Sequence, residues 1–287
     1  MRRLAAVCLL GAVLALPAAA QTPCGPAGYP SELADAWLKR RSVASPGEAL
    51  TMAEGICIRA RLVDLLAKTQ GKPIGYKVGL TSPAAQQTLG VNTPVAGILL
   101  EKMIVADGAV VPANFGARPI FESDLIATVR DEGVNDANSP LDVAAHIVTI
   151  QPFIELADLM LAEGQKMTGA IVAAINVGAR RGVVGDPVLV RAEPAFVDAL
   201  ANMEVTLTDG SGAELGKAPG RAILGHPFNA VIFLAKDLAA RGQRLKAGDV
   251  ISLGSFGRPL PPKAGQKVTA RYEGLPTGPM TVSVSFK

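Results

Sequence analysis

Apolar and polar residues alternate along several short segments of the chain, which is the pattern of a half-buried β-strand. The alternation is clearest near the C-terminus, where every second residue from 280 to 286 is apolar. Residues 74–80 alternate in the same way and place Lys77 between two glycines on one face. Similar runs predict further strands at residues 120–129, 153–157, 171–177, 203–209, 250–254 and 268–272.

Helical signals are fewer and lie mainly in the first quarter of the chain. Residues 30–41 predict one helix, and a second is predicted to begin at Ser45, with a capping box to Glu48, and to run to about residue 69. Ser139 is expected to open a short helix. A longer helix is predicted over 226–241, with Gly242 after it.

This order of elements predicts an α+β fold. Many strands, few helices and no regular alternation of strand and helix favour a β-roll core and argue against a doubly wound parallel sheet. We expect residues 21–70 to form a small helical N-terminal cap and residues 71–287 to form the main domain.

The N-terminus has the features of a secretory signal. Arg2 and Arg3 precede an apolar run at residues 4–16, and Ala18 to Ala20 stand before Gln21. Removal of residues 1–20 would take away two Arg, so the formal charge would fall from +3 to +1. The pattern predicts export to the periplasm without stable membrane insertion. The alternative is an uncleaved membrane anchor.

Composition narrows the classes of function. The 287 residues are 49% hydrophobic and 18% charged, which is enough apolar material for a sizeable core. The sequence has no basic block of the kind that binds nucleic acid. Two His and no close-spaced ligand pattern argue against structural zinc. Cys24 and Cys57 remain after cleavage and can pair in an oxidising compartment; the alternative is a free, buried Cys57 and a disordered Cys24.

Three carboxylates are candidate metal ligands. Glu122 and Asp124 lie two apart in a predicted strand, so they share a face about 6–7 Å apart. Glu155 stands in an otherwise apolar run. Such a set suits a hard cation, Mg²⁺ or Mn²⁺. The residues alone leave two alternatives open: a solvated strand face for the pair, and a buried salt bridge from Glu155 to Arg118 or Lys77.

Lys77 is the candidate proton-transfer group. Gly75 and Gly79 flank it on its own face, which suggests open space for a ligand. An amine near a metal can shift its pKa and exchange protons. The alternative is a lysine that points to solvent from an edge strand. His226 is expected to cap or pack, and His146 receives no chemical role.

Five short motifs occur in an order that resembles one enzyme family. They are residues 75–82 (GYKVGLTS), 119–124 (PIFESD), 154–158 (IELAD), 226–231 (HPFNAV) and 245–251 (LKAGDVI). Together they resemble the 2-keto-4-pentenoate hydratase and 4-oxalocrotonate decarboxylase branch of the fumarylacetoacetase superfamily. The resemblance extends over about residues 30–287.

The resemblance implies a mixed β-roll and a divalent metal held by Glu122, Asp124 and Glu155. It also implies that Lys77 lies near the substrate carboxylate and that Asn176 binds substrate. The expected activity is a metal-dependent hydratase, a lyase, acting on a 2-oxo-4-enoate or its dienol, such as 2-hydroxypenta-2,4-dienoate. Relatives are commonly homo-oligomers, so self-association is expected by analogy.

The chain departs from the family pattern at two places. The family's Glu-x-Glu is here Glu122-x-Asp124, and Asn176 lacks the acid before it and the serines after it. The alternatives are therefore an acylpyruvate C–C hydrolase, a 2-oxo acid decarboxylase, or an exported binding protein that kept the pocket without the chemistry.

Overall fold

The computed structural model describes residues 24–287, so the predicted signal at residues 1–20 lies outside the described residues. The helices are α1 (Tyr29–Lys39), α2 (Met52–Gln70), α3 (Pro83–Thr88), α4 (Pro140–Ala145), α5 (Gly169–Ala174), α6 (Pro194–Asn202) and α7 (Asn229–Ala239). The strands are β1 (Pro73–Gly79), β2 (Val95–Leu100), β3 (Ile104–Ala106), β4 (Ala109–Val111), β5 (Pro119–Val129), β6 (Ile147–Asp158), β7 (Arg181–Val184), β8 (Val188–Leu189), β9 (Glu204–Asp209), β10 (Glu214–Pro219), β11 (Val250–Ser252), β12 (Lys267–Glu273) and β13 (Met280–Phe286).

Two mixed sheets form the body of the protein. The larger has eight strands in the order β2-β1-β11-β5-β6-β7-β3, with β8 paired to β6; the smaller has the order β10-β9-β12-β13-β4. β1 and β11 are parallel, whereas β5 and β6 are antiparallel. Both sheets share one apolar core, which includes Phe121 and Ile154 of the larger sheet and Val284 of the smaller. The predicted α+β fold is confirmed.

The N-terminal helices pack against the larger sheet. Leu33 of α1 and Leu62 of α2 belong to an apolar cluster that also contains Phe153 of β6. A disulfide joins Cys24 to Cys57 in α2, with the Cα atoms 5.1 Å apart, so the two cysteines pair and Cys57 is not free.

None of the helices between residues 24 and 287 has the length and apolar character needed to cross a bilayer. The division of the chain at residue 70 stays a prediction.

The predicted start of α2 at Ser45 is wrong. Gly47 has a φ of 104°, which is incompatible with a helix, and the helix begins at Met52. Thr51 is the N-cap: its backbone N–H donates to Glu54 Oε2 at 2.8 Å, and its hydroxyl accepts from the Glu54 N–H at 3.3 Å. The Thr51–Glu54 capping box therefore replaces the one predicted between Ser45 and Glu48.

The strand predicted at residues 171–177 is also wrong. This segment is α5 followed by a tight turn at Asn176–Gly178. Thr168 caps α5 by accepting a hydrogen bond from the Ile171 N–H at 3.3 Å. Every residue of α5 is buried, and an apolar run that is buried on all sides has no period to separate helix from strand.

The helix predicted over 226–241 begins later, at Asn229. The Phe228 N–H donates to His226 Nδ1 at 3.0 Å, which keeps residues 226–228 in a turn before the helix. Gly242, with a φ of 69°, follows the helix end as expected. The short helix opened by Ser139 is confirmed, with Asp142 completing its capping box.

Candidate metal centre and active site

The antiparallel register of β5 and β6 brings the candidate ligands together. Glu122 pairs directly with Glu155, and Asp124 pairs with Phe153 two residues further along. Side chains of directly opposed residues lie on the same face with Cβ atoms about 5 Å apart. Asp124 is fully buried, Glu155 is 3% exposed and Glu122 is half-buried. The solvated-face alternative is therefore wrong.

Lys77 joins this group from β1. β1 lies between β2 and β11 inside the sheet, and Lys77 is only 4% exposed, so the solvent-pointing alternative is wrong. Its ammonium donates to the Glu155 carboxylate and to the Val177 carbonyl, the latter at 2.6 Å. Arg118 instead donates to the Leu161 carbonyl at 3.3 Å. Of the two salt bridges considered for Glu155, the one with Lys77 is therefore formed and the one with Arg118 is not.

The glycines beside Lys77 serve close packing and leave no open space. A Cβ atom on Gly75 would lie 1.9 Å from the Val250 carbonyl oxygen, and one on Gly79 would lie 2.4 Å from Val177 Cγ1. Glycine at these positions lets β11 and Val177 approach the strand. The expectation of ligand space on both sides of Lys77 is therefore wrong.

Burial, together with crowded negative charge, determines the electrostatics of the site. Burial, followed by repulsion from Glu155, raises the pKa of Glu122 from 4.5 to about 8. The same two causes raise the pKa of Asp124 from 3.8 to about 7, against the effect of its hydrogen bond from Ser252. Three carboxylates share one ammonium, so a divalent cation would relieve a real electrostatic penalty.

The last residue of β11 and the segment that follows it hold the Asp124 carboxylate. The Ser252 hydroxyl donates to Asp124 Oδ2 at 2.5 Å, and the Gly254 N–H donates to Oδ1 at 2.9 Å. Sequence reasoning missed both residues. They lie 128 and 130 positions from Asp124, and no local pattern connects a serine and a glycine at a strand end to a distant acid.

Tyr272 is a second residue that the sequence did not reveal. Its hydroxyl donates to the backbone carbonyl of Asp124 and accepts from the Phe153 N–H at 3.3 Å. The buried phenol therefore joins β5 to β6 at the Asp124–Phe153 pair. Burial raises its pKa well above the ordinary range, so the hydroxyl stays protonated and remains a donor.

Asn176 directly precedes Val177, whose carbonyl accepts a hydrogen bond from Lys77. Its amide nitrogen donates to the Ile98 carbonyl at 2.8 Å, and its amide oxygen accepts from the Ile98 N–H at 2.7 Å. Both ends of the amide are thus used by one residue of β2. Asn176 and Val177 have φ values of 56° and 55°, a strained conformation for β-branched Val177. The role of Asn176 in substrate binding stays a prediction.

The two histidines have structural contacts. His226 Nδ1 accepts from the Phe228 N–H and Nε2 lies 3.0 Å from the Val197 carbonyl, so Nε2 carries the proton. His226 was expected to cap or pack. It packs, since its ring is buried and supports the turn before α7, whereas Phe228 is the N-cap of that helix. His146 Nδ1 lies 2.7 Å from Asp131 Oδ1 at the end of α4.

The chemistry of the donor set fits a Mg²⁺ or Mn²⁺ ion. Three carboxylates in one buried cluster supply the hard oxygen ligands that such ions prefer. As the side chains stand, no three His, Cys, Asp or Glu residues between 24 and 287 form a closed metal cage. Asp124 is held by Ser252 and Gly254, whereas Glu155 is turned toward Lys77. Rotation of Glu155 would therefore accompany metal binding.

Comparison with known proteins agrees with this fold. No protein-family model matches the chain. It is 30% identical to a 4-oxalocrotonate decarboxylase of Pseudomonas putida over 226 residues, covering 79% of this chain and 83% of that protein. It is 32% identical to a 2-keto-4-pentenoate hydratase of Paraburkholderia phymatum over 213 residues, covering 74% and 79%.

Solved structures show the same relationship. The 4-oxalocrotonate decarboxylase from Pseudomonas putida G7, complexed with magnesium and adipate, has a TM-score of 0.79 and 26% identity, over 90% of this chain and 95% of that chain. A fumarylpyruvate hydrolase from Pseudomonas aeruginosa, in complex with Mn²⁺ and pyruvate, shares the fold at a TM-score of 0.54 and 14% identity, over 75% and 90%. The chain therefore belongs to the hydratase and decarboxylase branch of the fumarylacetoacetase superfamily.

Proposed function

We propose that this protein is a divalent-metal-dependent hydratase, a lyase that adds water to a 2-oxo-4-enoate or its dienol, such as 2-hydroxypenta-2,4-dienoate. The observation that carries the proposal is the buried pairing of Glu122 with Glu155 beside Asp124 and Lys77. Relatives named 2-keto-4-pentenoate hydratase, 31% and 32% identical to this chain, support it.

Glu122, Asp124 and Glu155 would hold the cation, either Mg²⁺ or Mn²⁺. When bound, the cation supplies a Lewis acid that accepts the carboxylate and 2-oxygen of the substrate and stabilises the enolate charge that develops during proton transfer. The shorter Asp124 side chain is fixed by Ser252 and Gly254, so this ligand is already oriented by the protein.

Lys77 would orient the substrate carboxylate or relay a proton. Its ammonium donates one hydrogen bond to the Val177 carbonyl at 2.6 Å and another to the Glu155 carboxylate. Rotation of Glu155 toward a cation would free the second N–H for the substrate.

The test is turnover of 2-hydroxypenta-2,4-dienoate by the mature protein, residues 21–287, with Mg²⁺ or Mn²⁺. Glu122→Ala and Glu155→Ala should abolish metal-dependent hydration. Glu193→Ala, a change at an exposed carboxylate before α6, is the matched control and should leave it intact. Full turnover by Glu122→Ala would contradict the proposal.

Decarboxylation is the second candidate, because a 4-oxalocrotonate decarboxylase is among the relatives with 30% identity. Chelation of a 2-oxo acid and enolate stabilisation serve both reactions. Product analysis separates them. Carbon dioxide release from 4-oxalocrotonate without hydration of the dienol would establish the decarboxylase and overturn the hydratase.

Export to the periplasm is proposed on two grounds: the N-terminal pattern of residues 1–20 and the Cys24–Cys57 disulfide, which is typical of oxidising compartments. Cell fractionation tests it directly. Recovery of the full-length protein, with both thiols open to alkylation, from the cytoplasm would contradict export.

Self-association is proposed only by analogy with relatives, and sedimentation of the mature protein tests it.

A further inference from the structure

Three consecutive residues with left-handed backbone lie beside Lys77. Asn176, Val177 and Gly178 have φ values of 56°, 55° and 68°, and all three are buried. This region is normally visited by single residues, most often Gly or Asn, and it costs free energy for a β-branched side chain. The surrounding structure must therefore hold Val177 in this conformation.

The Asn176 side chain supplies that hold from the edge of the larger sheet. β2 is the outermost strand of this sheet, next to β1. Asn176 Nδ2 donates to the Ile98 carbonyl of β2 at 2.8 Å, and Oδ1 accepts from the Ile98 N–H at 2.7 Å. The amide thus pairs with β2 in the way that the backbone of another strand would.

Two glycines let the turn come close to β1 and β2. A Cβ atom on Gly97 would lie 2.8 Å from the Asn176 carbonyl oxygen, and one on Gly79 would lie 2.4 Å from Val177 Cγ1. Gly97 is the cross-strand partner of Lys77. Asn176 therefore lies against the strand position opposite Lys77, and the turn brings the Val177 carbonyl to 2.6 Å from the lysine Nζ.

We propose that Asn176 is a positioning residue, which acts on Lys77 through the Val177 carbonyl and does not touch the substrate. The inference rests on the proposed function, because it gives Asn176 a task at the Lys77 end of the same site. A lysine side chain is a flexible four-carbon stem, and a fixed acceptor limits the directions in which its other N–H groups point. The strained turn therefore aims the ammonium at the place where the substrate carboxylate would bind.

The bonds of the Asn176 amide leave it little capacity for a substrate. A substrate contact would have to displace one of its two hydrogen bonds to Ile98. Asn176 is only 1% exposed, so a displaced N–H or carbonyl of β2 would be left buried without its partner, at a cost in free energy. The positioning role uses the amide as it stands.

The test is calorimetric binding of 2-oxopentanoate to the mature protein with saturating Mg²⁺. This probe has the carboxylate and 2-oxygen of the proposed substrate, but it lacks the double bond that would be hydrated. Asn176→Gly removes the amide while glycine still accepts the left-handed backbone. The variant should bind the probe about tenfold more weakly. Unchanged affinity would overturn the proposal.

Combination with Lys77→Met shows whether Asn176 acts through the lysine. If it does, Asn176→Gly should cause almost no further loss of affinity in the Lys77→Met protein, because the ammonium to be positioned is gone. A direct contact between Asn176 and the probe would instead cause the same loss in both backgrounds. That result would overturn the positioning role.

Asn135→Gly is the matched control for a purely structural effect. Asn135 makes the same pair of bonds to one residue, since it donates to the Leu245 carbonyl at 2.9 Å and accepts from the Leu245 N–H at 2.8 Å. It lies in the turn at Glu132–Asp136, before α4, and its loss should leave the affinity for the probe unchanged. An equal loss of affinity in Asn135→Gly and Asn176→Gly would overturn the inference. This comparison needs no Lys77 variant, so it decides the question even where Lys77→Met does not fold.

Two results separate this inference from the function it rests on. Additive losses from Asn176→Gly and Lys77→Met would overturn the positioning role while leaving 2-oxo acid binding intact. Failure of the Mg²⁺-saturated wild-type protein to bind the probe would overturn the proposed function and the positioning role together.

Discussion

Lys77 and Glu155 form a salt bridge in which the two side chains are only 5% and 4% exposed. Glu155 also faces Glu122 across the β5–β6 pair, so one ammonium serves a cluster of three carboxylates. The metal-free site is therefore held together by Lys77. The proposed metal would take over part of that task and release the ammonium for the substrate.

Removal of Lys77 should destabilise the metal-free protein. Lys77→Met leaves a buried Glu155 without its partner, and such a loss typically costs about 3–5 kcal/mol. Urea unfolding measures the change. Lys72→Met, which breaks an exposed pair with Glu101 at 3.7 Å, is the control and should cost less than about 1 kcal/mol. Equal effects of the two changes would contradict a buried pair.

The stability of the metal-free protein should fall as pH rises from about 5 to 8. The pKa of Glu122 is raised to about 8 in the folded state from 4.5, so in this window the folded state binds a proton that the unfolded state has lost. Glu122→Gln removes that proton, so the wild-type stability minus that of the variant should decline with rising pH. An unchanged difference across the window would contradict the raised pKa of Glu122.

Metal binding should strengthen with pH over the same range. Glu122 and Asp124, whose pKa values are raised to about 8 and about 7, must lose protons to act as ligands. Mg²⁺ should therefore raise the melting temperature more at pH 8.5 than at pH 6. At a hundred times its Kd the ion should add about 2.7 kcal/mol.

Glu122→Ala is the control for that metal effect, since it should abolish the shift at both pH values. Removal of the ion with EDTA should return the wild-type protein to its metal-free melting temperature. An equal shift in wild type and Glu122→Ala would place the ion elsewhere.

Loss of the Ser252 hydroxyl should weaken the metal site through Asp124. Ser252→Ala removes a hydrogen bond to a fully buried carboxylate, which costs about 1–3 kcal/mol and raises the Asp124 pKa further. Chemical unfolding and Mg²⁺ titration measure the two effects. Ser211→Ala removes a similar bond to Asp209 at an exposed turn and should change neither. Unaltered Mg²⁺ affinity in Ser252→Ala would contradict the role of Asp124 as a ligand.

Reduction of the disulfide should lower stability without touching the acids. The bond between Cys24 and Cys57 closes a separation of 33 residues, and the loss of such a constraint costs about 3–4 kcal/mol in the chain-entropy model. Cys24→Ser with Cys57→Ser should therefore melt earlier while keeping its Mg²⁺-induced shift. Loss of the Mg²⁺-induced rise in melting temperature in the double variant would show that the N-terminal segment held by the disulfide affects the metal site.

The sequence by itself determined most of the strands and the face that carries the acids. A period of two places Glu122 and Asp124 on the same side of β5 whatever packs around them. The capping pattern at Ser139 and Asp142 likewise specified the start of α4, because those hydrogen bonds form within one turn. The order of the five motifs identified the family.

Local patterns failed where several local solutions were available. Two capping boxes compete before α2, and the left-handed backbone at Gly47 decides for Thr51. The apolar segment at residues 169–177 is buried on every side. Its helical form therefore follows from the space left between α2 and the larger sheet.

Only the tertiary structure decided what the acids touch. β11 lies between β1 and β5, and this order brings Ser252 to Asp124 and Lys77 to Glu155 across 128 and 78 residues of chain. The raised pKa values of Glu122 and Asp124 arise from the same order, since burial and repulsion depend on which strands become neighbours. Strand order is a property of the whole sheet, and no short stretch of sequence contains it.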